Sequence, residues 1–350
     1  MSDCPGTGIE ERIYSLLNPL SKEERIEAIN VLQRIVKKEM FGEIGAGEVS
    51  CPKCHSEEHQ FFGHDHNGRQ RYRCKKCNSI FTEWSNHGIL KNTKLPLEKW
   101  MAFIPVFIDG LSCDKTAERV EVTHKTAWFM RIRVLEALYR NLPSFQVKEG
   151  CGAYIDEFYL HESFKGVSFK HLGEIPREAR HSSKDMNVRG ISNEQICIVT
   201  GINDAGDFFY DIPCRGSFTR EAAEKTLKDR LESGSIINTD KHHSYQKVVT
   251  HICGATHVTN GPEDHSSLKP VNNLHSAIKN FLHKFNGVST KWLHAYMVWY
   301  KWKKVFKVSG HKIEDLLKKQ ISLGGYEHSW RSINKMGLPF RDSTLNAMKY

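Results

Sequence analysis

No run of 18 apolar residues occurs anywhere in this chain, which excludes a transmembrane helix. The opening residues, MSDCPGTGIEERIYSLL, lack a basic stretch followed by an apolar core, which argues against a secretory signal. The expected location is the cytoplasm, where the ten cysteines are expected as reduced thiols or metal ligands and not as disulfides. No internal repeat is visible, so a repeat architecture is set aside. Proline is missing from residues 271–308, as a helical stretch requires. What the chain does have is length, a core and positive charge. Its 350 residues suggest two or three domains, and 39% hydrophobic residues can bury a real core. A formal charge of +9 favours a polyanionic partner such as nucleic acid, although a merely basic protein would share it.

Residues 8–40 read as helical, with Ser21-Lys-Glu-Glu24 as a capping box at the start of a second helix. A glycine-rich joint follows at 41–50. Residues 51–83 hold two CxxC knuckles, Cys51-Pro-Lys-Cys54 and Cys74-Lys-Lys-Cys77, separated by 19 residues. Four thiolates at this spacing complete a closed tetrahedral Zn²⁺ site of structural type. The segment between them suits a β-hairpin turning at Asn67-Gly68. Arg69, Arg71, Arg73, Lys75 and Lys76, interleaved with Tyr72, form a basic surface suited to phosphate contacts; the plain alternative is a solvated face.

Residues 96–140 read as helices. Within them SCDKTAERVEVTHKTAWFMRIRVL has helix-turn-helix logic: a short helix from Cys113 to Val120, a turn near Glu121-Val122, and a second helix capped by Thr123. Lys125, Arg131 and Arg133 on the second helix are candidates to contact DNA, with Ala127, Met130 and Leu135 facing the core. A helical hairpin packed for structure alone would show the same periodicity.

From 151 to 260 the pattern changes to short β-rich runs: GAYIDEFYL, EQICIVTGI, DFFYDIP, SIINTD and THVTN, with a helical stretch, FTREAAEKTLKDRLESG, after the third. This is an α/β pattern. In the first run, alternation places Ala153, Ile155 and Glu157 on one face and Tyr154, Asp156 and Phe158 on the other. Asp156 among strand-forming neighbours is costly to bury without a partner. Asp240 stands where an apolar strand meets the polar loop KHHSY. Two such carboxylates on neighbouring strands would bind Mg²⁺ or Mn²⁺, and a pair of ions about 4 Å apart could drive phosphodiester chemistry without a covalent protein intermediate. Alone, each is equally a cap or turn residue. The next helix, VNNLHSAIKNFLHKF, carries Asn272, Ser276 and Lys279 on one face with His275 beside them. Asn272 is a candidate oxygen ligand and Lys279 a candidate phosphate contact; Asn272 also fits as a simple cap. Farther on, Trp292, Tyr296, Trp299 and Trp302 recur at helical spacing as core, and Lys291, Lys301, Lys303 and Lys304 are expected at the surface. The 161–192 loop, with Lys165, Lys170, Arg177, Arg180, Lys184 and Arg189, reads as a phosphate-binding insert or a plain solvated loop.

From about Cys51 to about Lys304, these pieces together resemble the DDE-type transposases of bacterial insertion sequences, in the ISXO-like group with an N-terminal zinc ribbon. CPKC, CKKC, KTAERVEVTHKTAWFMRIRV, IDEFYL, RGISNEQICIV, INTDKHHSY, VNNLHSAIKNFL and FNGVSTKWLHAYMVWYKW carry the resemblance through their order and spacing. It implies an RNase H-like mixed-sheet core in an α/β fold, with Asp156 on the first strand, Asp240 just after the fourth, and a third member from the following helix. The group resembles this chain in having Lys seven residues after a third member that is Glu, Asn or His. That spacing assigns the role to Asn272, with His275 as the alternative. The domains expected are an N-terminal helical segment (1–45), the zinc ribbon (46–90), a helix-turn-helix region (91–145), the catalytic domain (146–308) and a C-terminal helical tail (309–350). The function implied is cleavage and strand transfer at terminal inverted repeats, with Zn²⁺ as structural and Mg²⁺ or Mn²⁺ as catalytic cofactors. The implied partner is double-stranded DNA, bound by at least a homodimer at the bacterial nucleoid, with no membrane and no small-molecule substrate. The rival is a transposase-derived DNA-binding protein that does not cut.

Overall fold

The computed structural model of the chain describes residues 12, 15–28, 31 and 35 near the N-terminus, then 49–66, 68–86, 88–90, 93–139, 142–166, 190–261 and 268–305. The 167–189 part of the basic insert, Asn67 of the expected hairpin turn, most of 29–48 and the 306–350 tail lie outside them. The chain divides between Ile104 and Pro105 into two compact units.

In the first unit, residues 22–28 are helical. The capping box is present: Ser21 N–H donates to Glu24 Oε2 at 2.8 Å, and Glu24 N–H donates to Ser21 Oγ at 3.3 Å. Beyond it, β1 (His59–His64), β2 (Gln70–Cys74) and β3 (Ile80–Thr82) form an antiparallel sheet in that order. The third strand was not anticipated. The two knuckles are near copies of each other. His55 N–H donates to Cys51 O and Asn78 N–H to Cys74 O, while Cys51 N–H and Cys74 N–H donate to Ser56 O and Ser79 O. His55 and Asn78 both stand at positive φ, 56° and 60°, which turns each chain back behind its thiol pair. The hairpin between them closes on Asp65, whose Oδ1 accepts from Arg69 N–H.

The second unit holds a five-stranded sheet: β4 (Gly152–His161), β5 (Gln195–Asn203), β6 (Phe208–Arg215), β7 (Ile236–Asp240) and β8 (Thr256–Asn260). The order is β6-β5-β4-β7-β8; β4, β5 and β6 run antiparallel, and β7 and β8 run parallel to β4. A three-strand meander extended by two parallel strands is the RNase H-like arrangement. All five strands fall on the runs read from sequence. The helix after the third is shorter than read, α4 spanning only Arg220–Leu227. Thr219 caps it, its side chain accepting from Ala222 N–H.

Each side of the sheet has its own cover. On one, Ala153 and Ile155 of β4 pack with Val199, Phe209, Ala223, Tyr245 and Val248. These come from the sheet, from α4 and from α5 (His243–Lys247), which runs into a π turn at Val248–Ile252. On the other lie α6 (Lys269–His283) and α7 (Leu293–Val305), joined by an aromatic cluster in which Phe281, Phe285, Tyr296 and Trp299 stand 4.8–6.0 Å apart. Gly201 shows how tightly β5 packs: a Cβ there would sit 2.2 Å from the Phe209 ring.

The helices α1 (Leu97–Asp109), α2 (Cys113–Val120) and α3 (His124–Tyr139) complete the chain. α2 and α3 match the helix-turn-helix reading. Ser112 and Thr123 cap their starts, and Glu121 ends α2 in a left-handed conformation at φ 52°. Ala127, Met130 and Leu135 are buried as expected. No helix among the described residues is long and apolar enough to cross a membrane.

Candidate functional site

The site of interest grows from the β4–β7 pairing. These parallel strands are in register at Gly152–Ile236, Ala153–Ile237 and Tyr154–Asn238. Continued two residues, that register sets Asp156 level with Asp240. In parallel strands, level residues point to one face, with the strands about 5 Å apart. The electrostatics agree. Asp156 is pushed up to about 7, first by burial and then by the charges of Glu157 and Asp240. Asp240 closes its own turn: Oδ1 accepts from His242 N–H at 2.9 Å.

Helix α6 supplies the third side. His275 is buried, with Nδ1 3.9 Å from Asp156 Oδ2 and Nε2 2.7 Å from Thr200 Oγ1. Its ring also packs on Phe158, centroid to centroid 4.7 Å. Burial lowers its pKa to about 4, so the ring is neutral near pH 7. If Nε2 carries the proton and gives it to Thr200, the Nδ1 lone pair faces Asp156. One turn later Lys279 is exposed, with Nζ 5.2 Å over the Phe158 ring. Asn272, one turn earlier, is exposed. The structure thus brings Asp156, Asp240, His275 and Lys279 together. Among the described bonds, none joins the Asn272 side chain to either aspartate.

Three further side chains belong to this region and were not singled out from sequence as part of the site. Thr200, directly opposite Asp156 in the β4–β5 register, is the hydroxyl that orients His275. A lone threonine in the apolar run QICIVTGI was the available signal, because a buried hydroxyl needs a partner. Glu157 points to the opposite face of β4 and takes a 2.5 Å hydrogen bond from the Tyr245 hydroxyl. Tyr245 is fully buried. Burial raises both groups above their ordinary values.

The cysteine site lies in the first unit. The four thiols of Cys51, Cys54, Cys74 and Cys77 lie within 4.8 Å of one another, with Cys51–Cys77 and Cys54–Cys74 at 3.5 Å. Four sulfurs about 2.3 Å from one zinc stand about 3.8 Å apart, so the thiols fit a zinc ion. Among the described residues, no other group of three or more His, Cys, Asp or Glu side chains closes around a point in this way. Around it, Lys75 and Lys76 are exposed. Arg71 and Arg73 are half-buried, their guanidinium groups 5.4 and 4.0 Å over the Phe62 ring. Arg69 pairs with Asp65 and donates to Thr93 O.

Three basic residues lie elsewhere than expected. Arg131 and Arg133 are each only 3% exposed, so neither presents its charge to DNA in this fold. Arg131 donates to Leu111 O and lies 4.9 Å over the Trp299 ring; Arg133 sits 6.0 Å over Phe129. For Arg131 the physical reason is that α3 packs against α7, where Trp299 offers a ring face and Tyr296 a hydroxyl to the guanidinium. Lys125, in the first turn of α3, is exposed as expected. Lys301 is buried, with Nζ donating to Pro143 O, and burial lowers its pKa to about 8. Lys165 donates to Phe285 O and Asn286 O just past the end of α6.

No protein-family model and no curated protein matches the chain. Among solved structures, a chain of the simian T-cell lymphotropic virus intasome in complex with PP2A regulatory subunit B56 gamma is similar at 14% identity and a TM-score of 0.28. The match covers 57% of this chain and 66%, just under two thirds, of that one. A pre-cleavage Mos1 transpososome is similar at 12% identity and a TM-score of 0.22, over 68% of this chain and 83% of that one. The Mos1 strand transfer complex gives the same identity and TM-score over 68% and 82%. Likenesses this weak leave the site to be read from its own geometry.

Proposed function

We propose that this chain is the transposase of a bacterial insertion sequence, of the zinc-ribbon ISXO-like type that its motifs resemble. It would bind the element's terminal inverted repeats, cut the DNA and join the freed 3′-OH to target DNA. One observation carries the proposal: the β4–β7 register, which ends at Tyr154–Asn238, sets Asp156 level with Asp240 when continued two residues, on the face where His275 stands 3.9 Å from Asp156.

The donor types suit divalent cations, while among the described residues only the four cysteines already close around a single point. Two carboxylates and a neutral imidazole suit Mg²⁺ and still better Mn²⁺, which accepts nitrogen ligands more readily. Burial first, and then the charges of Glu157 and Asp240, raise Asp156, a cost that a bound cation would relieve. Bound there, a pair of such ions supplies the Lewis acidity for in-line displacement at a phosphodiester. Asp156 and Asp240 would hold them. The third role passes in this proposal from Asn272 to His275, because His275 is the one within 3.9 Å of Asp156. Thr200 keeps its ring from turning, as outer partners of histidine ligands do. Lys279, on the same flank of α6 and exposed, would hold a phosphate of the incoming strand. Lys125 on α3 and Lys75 and Lys76 beside the zinc ribbon remain as candidate contacts to the duplex. Working on two DNA ends requires at least a dimer.

The test is cleavage of a labelled duplex carrying the end of the DNA that flanks the gene. With Mg²⁺ or Mn²⁺ the parent should cut at that end, and Asp156→Asn and Asp240→Asn should bind the duplex but leave it intact. Tight binding without cutting by the parent would support the DNA-binding rival instead. Preferential cutting of competitor RNA or branched DNA would point to a nuclease on the same fold.

A further inference from the structure

The two aspartates stand where the backbone stops holding their strands together. The β4–β7 ladder ends at Tyr154–Asn238, two residues short of Asp156 and Asp240. Beyond that point parallel strands are free to splay, and a metal pair needs its carboxylates held to within about 0.5 Å. Something other than the ladder has to set the gap.

We infer that the Tyr245–Glu157 hydrogen bond is that device: a clasp that fixes the separation of Asp156 and Asp240 and so makes their shared cation site. The inference rests on the metal-dependent reading above and assigns positioning roles to two residues which that reading leaves unused.

Glu157 is the immediate neighbour of Asp156 on β4, so whatever fixes Glu157 fixes the backbone beneath Asp156. Tyr245 lies five residues after Asp240, in α5. The chain between them is stiff. Asp240 Oδ1 takes the His242 N–H at 2.9 Å, and His242 caps α5 through Ser244 N–H. Tyr245 itself is buried, packed on Phe218 at 5.1 Å and among the core residues Val248 and Val249. Its hydroxyl meets Glu157 Oε2 at 2.5 Å. The path from Asp156 to Asp240 therefore runs Glu157, Tyr245, α5, His242, with a named bond or a rigid turn at each step. A longer route exists, from Ser244 Oγ to Phe218 O and from Phe218 N–H to the Tyr159 hydroxyl, but it reaches β4 three residues beyond Asp156. Glu157 and Asp240 also feel each other's charge, as groups held close together do.

A half-buried glutamate set against a buried tyrosine only to fill space would be an expensive choice, because an apolar pair of similar shape is usually as stable or more so. A directional bond between two elements is what an apolar pair cannot supply.

The experiment measures Mn²⁺ affinity of the full chain by the loss of the free-ion EPR signal, alongside thermal unfolding and duplex binding. Tyr245→Phe removes the hydroxyl and leaves every charge in place. It should bind Mn²⁺ at least fivefold more weakly than the parent while still binding duplex DNA. Glu157→Gln and Glu157→Leu remove the same charge, but only Gln can accept from the phenol. Leu should therefore bind Mn²⁺ at least fivefold more weakly than Gln. Should Tyr245→Phe fail to fold, the Gln and Leu pair decides alone. Folded Tyr245→Phe with parent-like affinity, or Gln and Leu variants that bind Mn²⁺ equally, would overturn the clasp. A parent that binds no Mn²⁺, or binds it unchanged after Asp156→Asn, would overturn the metal reading itself, and the clasp with it.

Discussion

Replacing Asp156 with asparagine should make the protein free of Mg²⁺ and Mn²⁺ more stable, and by an amount that depends on pH. Asp156 titrates near 7 in the fold, against 3.8 for the free side chain. A raised folded pKa means that the fold prefers the protonated form. Its stabilising share is complete below about pH 4 and is lost as pH rises through 7. At pH 8 the folded protein must hold a half-buried carboxylate beside Glu157 and Asp240. A shift of about 3 units at 1.36 kcal/mol each sets a ceiling of about 4 kcal/mol on that cost. The side chain is 19% exposed, so solvent screens it little, although local relaxation would bring the measured value to about 2–4 kcal/mol. Asparagine keeps the shape and carries no charge. The variant should therefore exceed the parent by about that amount at pH 8, by about half of it near pH 5.5, and by nothing at pH 4. His275 shifts the opposite way, to about 4, and its share is present above 6.5 and lost as pH falls through 4. It is present in both proteins and is coupled to position 156 across the 3.9 Å contact, so the comparison rests on pH 5.5 and 8. The assay is urea unfolding at three pH values of protein that keeps its zinc and has been dialysed free of Mg²⁺ and Mn²⁺. Saturating Mn²⁺ should then stabilise the parent and not the variant. A variant less stable than the parent at pH 8, or a gain that does not change with pH, would refute the claim that Asp156 is held against its charge.

Three other outcomes follow from the packing. Arg131→Ala should cost about 2–4 kcal/mol of stability, because it strips the Leu111 carbonyl of a buried donor and empties the space over Trp299; Lys125→Ala should leave the melting temperature alone and weaken duplex binding. Capping the thiols with a mercurial should free one zinc per chain, read by a metallochromic indicator, and amide exchange in residues 51–82 should then accelerate, since closed four-cysteine sites hold small domains together by about 10 kcal/mol or more. Gly201→Ala should destabilise by roughly 2 kcal/mol or more, read by chemical denaturation, because its methyl would have to displace the Phe209 ring from the core.

The boundary between what could be read and what could not runs through single elements. On α3 the sequence placed the helix, its Thr123 cap and its buried Ala127, Met130 and Leu135, because caps and apolar period are local properties. It sent Arg131 outward, since nothing nearby in sequence says that Phe285 and Trp299 will supply ring faces, and Tyr296 a hydroxyl, for a guanidinium. On α6 the same limit left Asn272 and His275 both open to the reader of the sequence. Both lie on one flank of the helix; only the angle at which α6 crosses β4 and β5 settles which of them meets Asp156.

By itself the sequence determined the five strands, the helix pair and the cysteine knuckles. Each of these is written in residues a few positions apart, where period, turn chemistry and ligand spacing act directly. Tertiary structure alone decided the company each side chain keeps: Asp156 level with Asp240, His275 held by Thr200, Glu157 tied to Tyr245, Arg131 inside. Those pairings join residues from 75 to 165 positions apart in the chain. They are set by strand order and helix crossing, which no local pattern encodes.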